Sequence, residues 1–383
     1  MKRIYLDHAA STPVHPEVAQ TMMDIMTGQF GNASSVHAFG RASKRTVSEA
    51  RDVVAASLGC LPEEVTFTSG GTESDNLALF GAAFAKGRRS GHIITTAIEH
   101  HAILHTCAEL ERLGYEVTYV PVDHTGRVHP EEVEAAIRPD TFLISMMYAN
   151  NEVGTVQPVI EVGELAHSRG ILFHVDAVQA FGALPISCRD LPVDLLSVSA
   201  HKINGPQGIG ALYVRRGTAL QPRQYGGLQE KQRRAGTENM AGIAGFAKAA
   251  AIATAAVHER SEHDLSLRQT LLNSLKNRLG SDGFTVNGSS EHFLPHIVNL
   301  SFPGCSTETM LMNLDMEGIA AASGSACTSG SIELSHVLKA MNLPGDILRS
   351  AIRFSFGLGN TTEEMEYTAE KIATISQRLR NRH

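Results

Sequence analysis

The sequence predicts an α/β protein with a large domain, built on a mainly parallel seven-stranded sheet, and a smaller α+β domain. Short apolar, β-rich runs alternate with helical patterns between residues 64 and 214, which is typical of a parallel sheet covered by helices on both faces. The pattern changes near residue 259. A chain of 383 residues is also long enough to bury two hydrophobic cores.

The large domain is expected over residues 15–259. Apolar runs predict its strands at residues 65–68, 92–96, 117–122, 141–148, 171–175, 195–199 and 210–214. Apolar residues three and four apart predict helices between them, among them residues 74–86, 102–113 and 159–169. Loops at the carboxyl ends of parallel strands usually form the site in such folds, so we expect the functional residues there.

The smaller domain is expected to combine residues 1–14 with residues 260–383. An alanine-rich helical stretch after Met240 continues through residues 265–279 and leads into it. Strands are predicted at residues 296–302 and 351–356, and helices at residues 308–316, 337–341 and 365–378. Thr361 and Glu364 have the spacing of a capping box at the start of the last helix.

Composition argues against several classes of function. A net charge of −7 disfavours a surface for nucleic acid or anionic membrane. The first eight residues lack the apolar core of a signal peptide, and no other segment is long and apolar enough to span a bilayer. Five scattered cysteines without a Cys-x-x-Cys pair suit a reducing compartment. We therefore expect a cytoplasmic protein whose partners are small molecules or other proteins.

Lys202 is the most informative single residue. It follows the buried strand predicted at residues 195–199 and precedes a glycine-rich stretch. A lysine at such a strand end is partly desolvated, which lowers its pKa and makes its amine a nucleophile. A Schiff base with an aldehyde cofactor such as pyridoxal phosphate is its main chemical use, and an ordinary surface lysine is the alternative.

A phosphate cradle for such a cofactor is predicted at residues 68–73, where a strand turns into a helix. Gly71 and Thr72 would bring backbone amides, a helix dipole and a hydroxyl to one anion. Asp176 directly follows the strand predicted at residues 171–175 and would keep the pyridine nitrogen of the cofactor protonated. Gln179, one turn later, could donate to the phenolic oxygen. A plain strand-to-helix turn and a helix-capping Asp are the alternatives for the cradle and for Asp176.

His100 follows the strand predicted at residues 92–96 and is a candidate to stack on the cofactor ring and move a proton. His101 and His105 have the spacing of two metal ligands on one helix face. Without the Glu of the His-Glu-x-x-His arrangement, we predict no metal site. Asn151 follows the strand at residues 141–148 and could reach cofactor or substrate, although turn chemistry explains an Asn-Asn pair equally well.

The order of these motifs resembles the cysteine desulfurases, which belong to the class V aminotransferase group of pyridoxal phosphate enzymes and have the aspartate aminotransferase fold (fold type I). The resemblance rests on Ser-Gly-Gly-Thr-Glu-Ser, Glu-His-His-Ala, Asn-Asn-Glu-Val-Gly, His-Val-Asp-Ala-Val-Gln, Ser-Ala-His-Lys, Arg-Ala-Gly-Thr-Glu-Asn, Gly-Ser-Ala-Cys and Ile-Arg-Phe-Ser. It extends from Tyr5 to Ser355, nearly the whole chain. His101 stands where some desulfurases have a lysine.

The resemblance implies a role for each matched residue. Lys202 would carry the Schiff base, and Asp176 would contact the pyridine nitrogen. Thr72, Ser199 and His201 would hold the phosphate, Gln179 and Asn151 the cofactor oxygen or substrate, and Arg353 the substrate carboxylate. Thr237 would reach the phosphate site of a neighbouring subunit, so a homodimer with shared sites is implied.

Cys327 distinguishes this interpretation from an aminotransferase. It lies within a run of small residues from Ala320 to Ser331, which predicts a mobile loop able to carry a sulfur nucleophile into the site. A small buried cysteine is the alternative. Cys305, after a Pro-Gly turn, is the second candidate nucleophile. An unperturbed thiol is mostly protonated at neutral pH, so His100 or the substrate itself must accept its proton.

The function expected from the resemblance is conversion of L-cysteine to L-alanine with a persulfide formed on Cys327. The sulfur would pass to acceptor proteins, either an iron-sulfur scaffold or a tRNA-thiolating enzyme. Two alternatives use the same scaffold, a selenocysteine lyase and a class V aminotransferase. A third is a non-catalytic scaffold for sulfur-trafficking proteins that retains the old site.

Overall fold

The computed structural model describes residues 3–324 and 334–381. The strands are β1 (Ile4–Tyr5), β2 (Val65–Thr68), β3 (His92–Thr96), β4 (Glu116–Val120), β5 (Thr141–Met147), β6 (Leu172–Asp176), β7 (Leu195–Ser199), β8 (Gly210–Val214), β9 (Thr285–Asn287), β10 (Ile297–Ser301), β11 (Ile319–Ala320) and β12 (Ala351–Ser355). The helices are α1 (Pro16–Gly28), α2 (Ala38–Leu58), α3 (Gly71–Phe84), α4 (His101–Arg112), α5 (Pro130–Ala136), α6 (Val159–Ser168), α7 (Met240–Ala255), α8 (Val257–Leu279), α9 (Thr307–Met316), α10 (His336–Ala340), α11 (Gly345–Leu348) and α12 (Thr362–Arg380).

The central sheet has seven strands in the order β2-β8-β7-β6-β5-β3-β4. β8 is antiparallel to both of its neighbours, and the other pairs are parallel. The predicted mainly parallel seven-stranded sheet is therefore confirmed, and its strand limits lie within two residues of the predicted ones.

Helices cover both faces of this sheet, because successive residues of one strand enter different cores. In β5, Leu143 packs into one hydrophobic cluster and Ile144 into another. Leu195 and Leu196 divide in the same way in β7. Side chains of a strand point alternately to opposite faces, so apolar residues at consecutive positions require cover on both sides.

A separate core lies beside the antiparallel sheet β12-β10-β9. It joins Ile4 and Leu6 to residues of α8, α9, α12, β10 and β12. The N-terminal segment therefore packs with the C-terminal part of the chain, as the proposed division into residues 1–14 plus 260–383 and 15–259 requires. That division remains a prediction, and its boundary at Glu259 falls in the first turn of α8.

Some elements differ from the sequence-based expectation. α1 and α2 were not predicted, nor were the short strands β1, β9 and β11. Thr361 accepts a hydrogen bond from the Glu364 amide and caps α12, which is one of the two bonds of the expected capping box. Within residues 3–324 and 334–381 no single helix is long and apolar enough to cross a membrane, although α7 and α8, bent by 72°, pass that test as a pair.

Candidate active site

A cavity of about 490 Å³ lies where the carboxyl ends of the parallel strands meet the N-terminal segment and β12. It gathers most of the residues singled out above: Gly71, Thr72, His100, Asn151, Asp176, Gln179, Ser199, His201, Lys202 and Arg353. Asp7, Ala9, Ala10, Asp75, Met147, Ala149, Val178, Ala322 and Gly324 complete its wall. The cradle, the carboxylate and the lysine thus face one common space.

The cradle at one side of the cavity is suited to an anion. α3 starts at Gly71, and among the described residues no side chain caps its N-terminus, so the amides of its first turn are available there. A Cβ at Gly71 would lie 2.7 Å from a methyl of Val178, which requires glycine at that position. The Ser199 hydroxyl opposite is 1 % exposed and has no hydrogen-bond partner among the described residues. A phosphate would satisfy this buried donor.

Asp176 is the last residue of β6 and is buried at 7 % exposure. Burial raises the pKa of Asp176 to about 6, while the Val178 amide at 2.9 Å and the charge of Lys202 favour its ionised form. A protonated ring nitrogen would supply the cation that this carboxylate lacks.

Asp75 is a second buried carboxylate in this cavity, and the sequence analysis missed it. Burial and the nearby charge of Asp176 raise the pKa of Asp75 well above its usual value. Its Oδ1 lies 3.6 Å from His174 Nε2, which also bonds the Ser197 hydroxyl at 3.0 Å. Because two buried carboxylates that repel each other do not both ionise readily, Asp75 has the stronger reason of the two to stay protonated.

Lys202 lies just after β7, and its Nζ donates to the carbonyls of Ala9 and Ala10 at 2.5 and 2.8 Å. Burial, with a smaller effect from Arg353, lowers the pKa of Lys202 to about 8. The amine is therefore easier to deprotonate than that of a surface lysine. Gln179 donates to the same Ala9 carbonyl at 2.8 Å, which leaves its second N–H for a cofactor oxygen.

His100 is the N-cap of α4, where its Nδ1 accepts from the Ala102 amide at 3.1 Å. Its ring is open to the cavity. Desolvation by the cavity walls, then Lys202 and the neighbouring His101, lower the pKa of His100 to about 4. The ring is therefore neutral at pH 7 and can stack on a flat cofactor.

The rings of three neighbouring histidines lie against one another. The rings of His101 and His105 are 4.9 Å apart, and those of His101 and His336 are 4.8 Å apart. Within the described part of the chain no group of three or more His, Cys, Asp or Glu side chains could hold a metal ion.

Arg353 lies on β12 and is 4 % exposed. Its Nη1 donates to the Asn151 carbonyl at 2.9 Å, and its Nη2 pairs with Asp7 at 2.7 Å. Its Nε is buried without a partner among the described residues. The sequence analysis did not assign Asp7 to the site, and a substrate carboxylate would share Arg353 with it.

Of the remaining predicted residues, Thr237 and Cys305 do not line this cavity, and Cys327 is not described by the structure. Thr237 is exposed and does not line it within one chain. Cys327 lies outside the described residues. Cys305 is buried in the second core, with its thiol 3.8 Å from the Ser376 carbonyl, and burial raises its pKa. Cys305 is therefore wrongly placed for a nucleophile.

The residues present fit pyridoxal 5′-phosphate. The unpartnered Ser199 hydroxyl and the uncapped amides of α3 can bind a phosphate. Asp176 can pair with a protonated ring nitrogen, and the Lys202 amine faces the same cavity. The fold and the site together define a pyridoxal-phosphate-dependent enzyme of fold type I.

Comparisons with known proteins identify the family of the chain within this class of enzyme. Residues 4–368 match the family described as aminotransferase class-V. A putative cysteine desulfurase IscS 1 of Bacillus subtilis (strain 168) is 50 % identical over 99 % of this chain and 100 % of its own length. The solved structure of a NifS-like protein, 39 % identical, covers 98 % of this chain and 100 % of its own with a TM-score of 0.92.

A further solved structure, described as SspA in complex with cysteine, is 37 % identical, covers 93 % of this chain and 99 % of its own, and has a TM-score of 0.82. The chain belongs to the class-V aminotransferase family and, within it, to the cysteine desulfurases. The resemblance read from the motifs is thereby confirmed over the whole chain, as are the fold type and the cofactor.

Proposed function

We propose that this protein converts L-cysteine to L-alanine and passes the sulfur, as a persulfide on Cys327, to acceptor proteins. One observation carries the proposal: an anion cradle, a buried carboxylate, a lysine of lowered pKa and a buried arginine line a single cavity. The similarity to cysteine desulfurases and to a structure solved with cysteine supports it.

Each residue has a task that follows from its position. Gly71, Thr72, Ser199 and His201 would hold the phosphate of the cofactor, Asp176 its ring nitrogen, and Lys202 its aldehyde carbon. When bound, pyridoxal phosphate supplies an electron sink for the charge that develops on the substrate α-carbon.

Arg353 binds the carboxylate of the incoming cysteine through the N–H groups that Asp7 and Asn151 leave unused, the unpaired Nε–H among them. The Lys202 amine, with its pKa of about 8, then removes the α-proton. His100, neutral at pH 7, would cover the ring face; its lowered pKa of about 4 makes it a weak base, so the substrate is the better acceptor for the Cys327 proton.

The sulfur step balances without an added oxidant. The Cys327 thiolate attacks the substrate sulfur, an S–S bond forms, and the C–S bond breaks with its electron pair going to carbon. Protonation of that carbon gives alanine. The net change is one cysteine and one thiol to one alanine and one persulfide.

The acceptors proposed are a protein scaffold for iron-sulfur clusters or a tRNA-thiolating enzyme, because a protein-bound persulfide hands its sulfur to a second thiol. We place this transfer in the cytoplasm, since the cysteines of the described residues are all free and a reducing compartment keeps them so.

The proposal is tested by mixing the holoenzyme with L-cysteine and a thiol reductant and measuring alanine and sulfide. Cys327→Ala should abolish both products while leaving the yellow absorbance of the cofactor unchanged. Cys60→Ala serves as the matched control, because Cys60 is half-buried and lies outside the cavity. Undiminished alanine from Cys327→Ala would refute the persulfide step.

A homodimer is also proposed, with exposed apolar side chains near Thr237 as its contact surface. Phe30, Val36 and Leu228 are 79, 89 and 75 % exposed. Ser34 and Leu228 line one groove with Glu238, the neighbour of Thr237. Apolar exposure of this extent marks an interaction surface, and a second copy of the chain would cover it and receive Thr237.

Val36→Glu should weaken the dimer, because burying an unpaired carboxylate is costly. Met316→Glu is the matched control, since Met316 is 73 % exposed on α9 in the other part of the molecule. Sedimentation equilibrium of both variants measures the effect. Equal dissociation constants for Val36→Glu and the wild type would exclude this surface.

A further inference from the structure

Glu152 is buried in the turn after β5, and no step proposed above uses it. Its exposed fraction is 2 %. The turn is tightly bonded: Asn150 Oδ1 accepts from the amides of Glu152 and Val153 at 2.8 and 3.0 Å, and Asn150 Nδ2 donates to the Ile98 carbonyl at 3.0 Å. Glu152 is therefore presented by a fixed piece of backbone.

The Glu152 carboxyl contacts two residues that are distant in sequence. Ser335 Oγ, 5 % exposed, donates to Glu152 Oε2 at 2.5 Å and also caps α10 by accepting from the Leu338 amide. On the other side, a Cβ at Gly324 would lie 2.6 Å from the same Oε2, and Gly324 has a φ of +87°. Only glycine lets the backbone approach the carboxyl this closely.

We infer that Glu152 is a positioning residue that fixes Gly324 and Ser335, between which the chain runs through Cys327. The inference rests on the proposed function, because that function makes Cys327 the sulfur acceptor. Glu152 would thereby set where Gly324 and Ser335 lie relative to the cavity.

The same turn also holds the residue proposed to bind the substrate. The carbonyl of Asn151 accepts from Arg353 at 2.9 Å, and the carbonyl of Glu152 accepts from Asn299 Nδ2 on β10 at 3.2 Å. Arg353 and the two anchored residues are thus tied to one short turn.

Either protonation state of Glu152 can serve as the anchor. Burial raises the pKa of Glu152 to about 7, against the opposing effects of the Ser335 hydrogen bond and the Arg353 charge. A carboxyl and a carboxylate both accept from the Ser335 hydroxyl, and so does the amide oxygen of glutamine. Glu152→Gln should therefore keep the anchor, and Glu152→Ala should remove it.

Two measurements on the holoenzyme test this role. Amide hydrogen exchange of residues 322–324 and 335–340 reports the anchoring itself. Single turnover with L-cysteine separates substrate binding, seen in the cofactor absorbance, from persulfide formation, seen by mass spectrometry. Glu64→Ala is the matched control, because Glu64 is 8 % exposed and accepts from the amides of Leu61 and Arg216 outside the cavity.

Glu152→Ala should speed exchange in both segments and slow persulfide formation by about 10- to 100-fold, with little change in substrate binding, because small misplacements of reacting groups cost factors of this size. Glu152→Gln should restore both quantities, and Glu64→Ala should change neither. Should Glu152→Ala fail to fold, Ser335→Ala replaces it, with Ser306→Ala as control because Ser306 caps α9 in the same way.

The inference is overturned if Glu152→Ala leaves exchange and persulfide formation unchanged, if Glu64→Ala slows persulfide formation equally, or if Glu152→Gln fails to restore it. A wild-type enzyme that makes no alanine would instead refute the proposed function, and the exchange measurement would still test the anchor.

Discussion

Arg353→Lys should lower kcat/KM for L-cysteine by weakening recognition of the substrate carboxylate. Two of the five N–H groups of Arg353 bond Asp7 and Asn151, so the remaining ones, the unpaired Nε–H among them, are left for a substrate carboxylate. Lysine keeps the charge but loses the planar fork. Loss of one charge-assisted hydrogen bond costs about 2 kcal/mol, which corresponds to about a 30-fold fall in kcat/KM.

The assay compares L-cysteine with L-cysteinamide, which lacks the carboxylate, by following release of the desulfurated product. The variant should lose most of the wild-type preference for L-cysteine over L-cysteinamide. The contact between the Arg353 guanidinium and the carboxylate is missing in both cases, in the variant and with the amide substrate. Arg268→Lys is the control, since Arg268 is similarly buried at 6 % exposure and bonds the Ile297 carbonyl outside the cavity. If Arg353→Lys weakens turnover of both substrates equally, Arg353 acts by holding Asp7 and Asn151, and the assignment is wrong.

Further predictions concern the cofactor and the anchor. Ser199→Ala should weaken pyridoxal phosphate binding about tenfold, measured by absorbance titration, without lowering the melting temperature of the cofactor-free protein, because it removes an unpaired buried hydroxyl. Asp176→Asn should slow alanine formation by about 100-fold or more. Cofactor binding to the wild type should tighten as pH rises through about 6, the pKa at which the free Asp176 ionises, and Asp176→Asn should flatten that dependence. For Glu152, a pKa raised from 4.5 to about 7 means that the folded state holds the proton more tightly, so stability is full below pH 4.5 and falls by about 3 kcal/mol as pH approaches and passes 7. Glutamine does not titrate, so the melting temperature of Glu152→Gln minus that of the wild type should rise between pH 5 and pH 8. A melting-temperature difference that stays constant over this range would contradict the prediction.

Much of the large sheet was predictable, because both of its faces are covered and its strands are continuous apolar runs. β3, β7 and β8 have the predicted limits. The positions where the predicted strands end also predicted the site, since Asp176 ends β6 and Lys202 follows β7. The antiparallel direction of β8 carries no sequence signal, because side-chain alternation is the same in both directions.

The missed residues act through long-range contacts. Asp7 and Arg353 are 346 positions apart, and only the tertiary fold brings them together. Asp75 carried a weak signal: it lies three residues after Thr72 and therefore on nearly the same face of α3 as the cradle. Glu152 follows the Asn150-Asn151 pair, for which contact with the cofactor or substrate and turn chemistry were both open explanations, and it was given no role of its own. Its burial against Ser335 could not be read from spacing.

In the proposed reaction Cys327 takes the sulfur of L-cysteine. The most direct test mixes the holoenzyme with one equivalent of isotopically labelled L-cysteine, without reductant, and measures the mass of the peptide that contains Cys327. We expect one added labelled sulfur on that peptide, matched by one alanine, and none on the peptides of Cys60, Cys107, Cys188 or Cys305. Alanine formed with label on another cysteine, or with no labelled peptide, would contradict it.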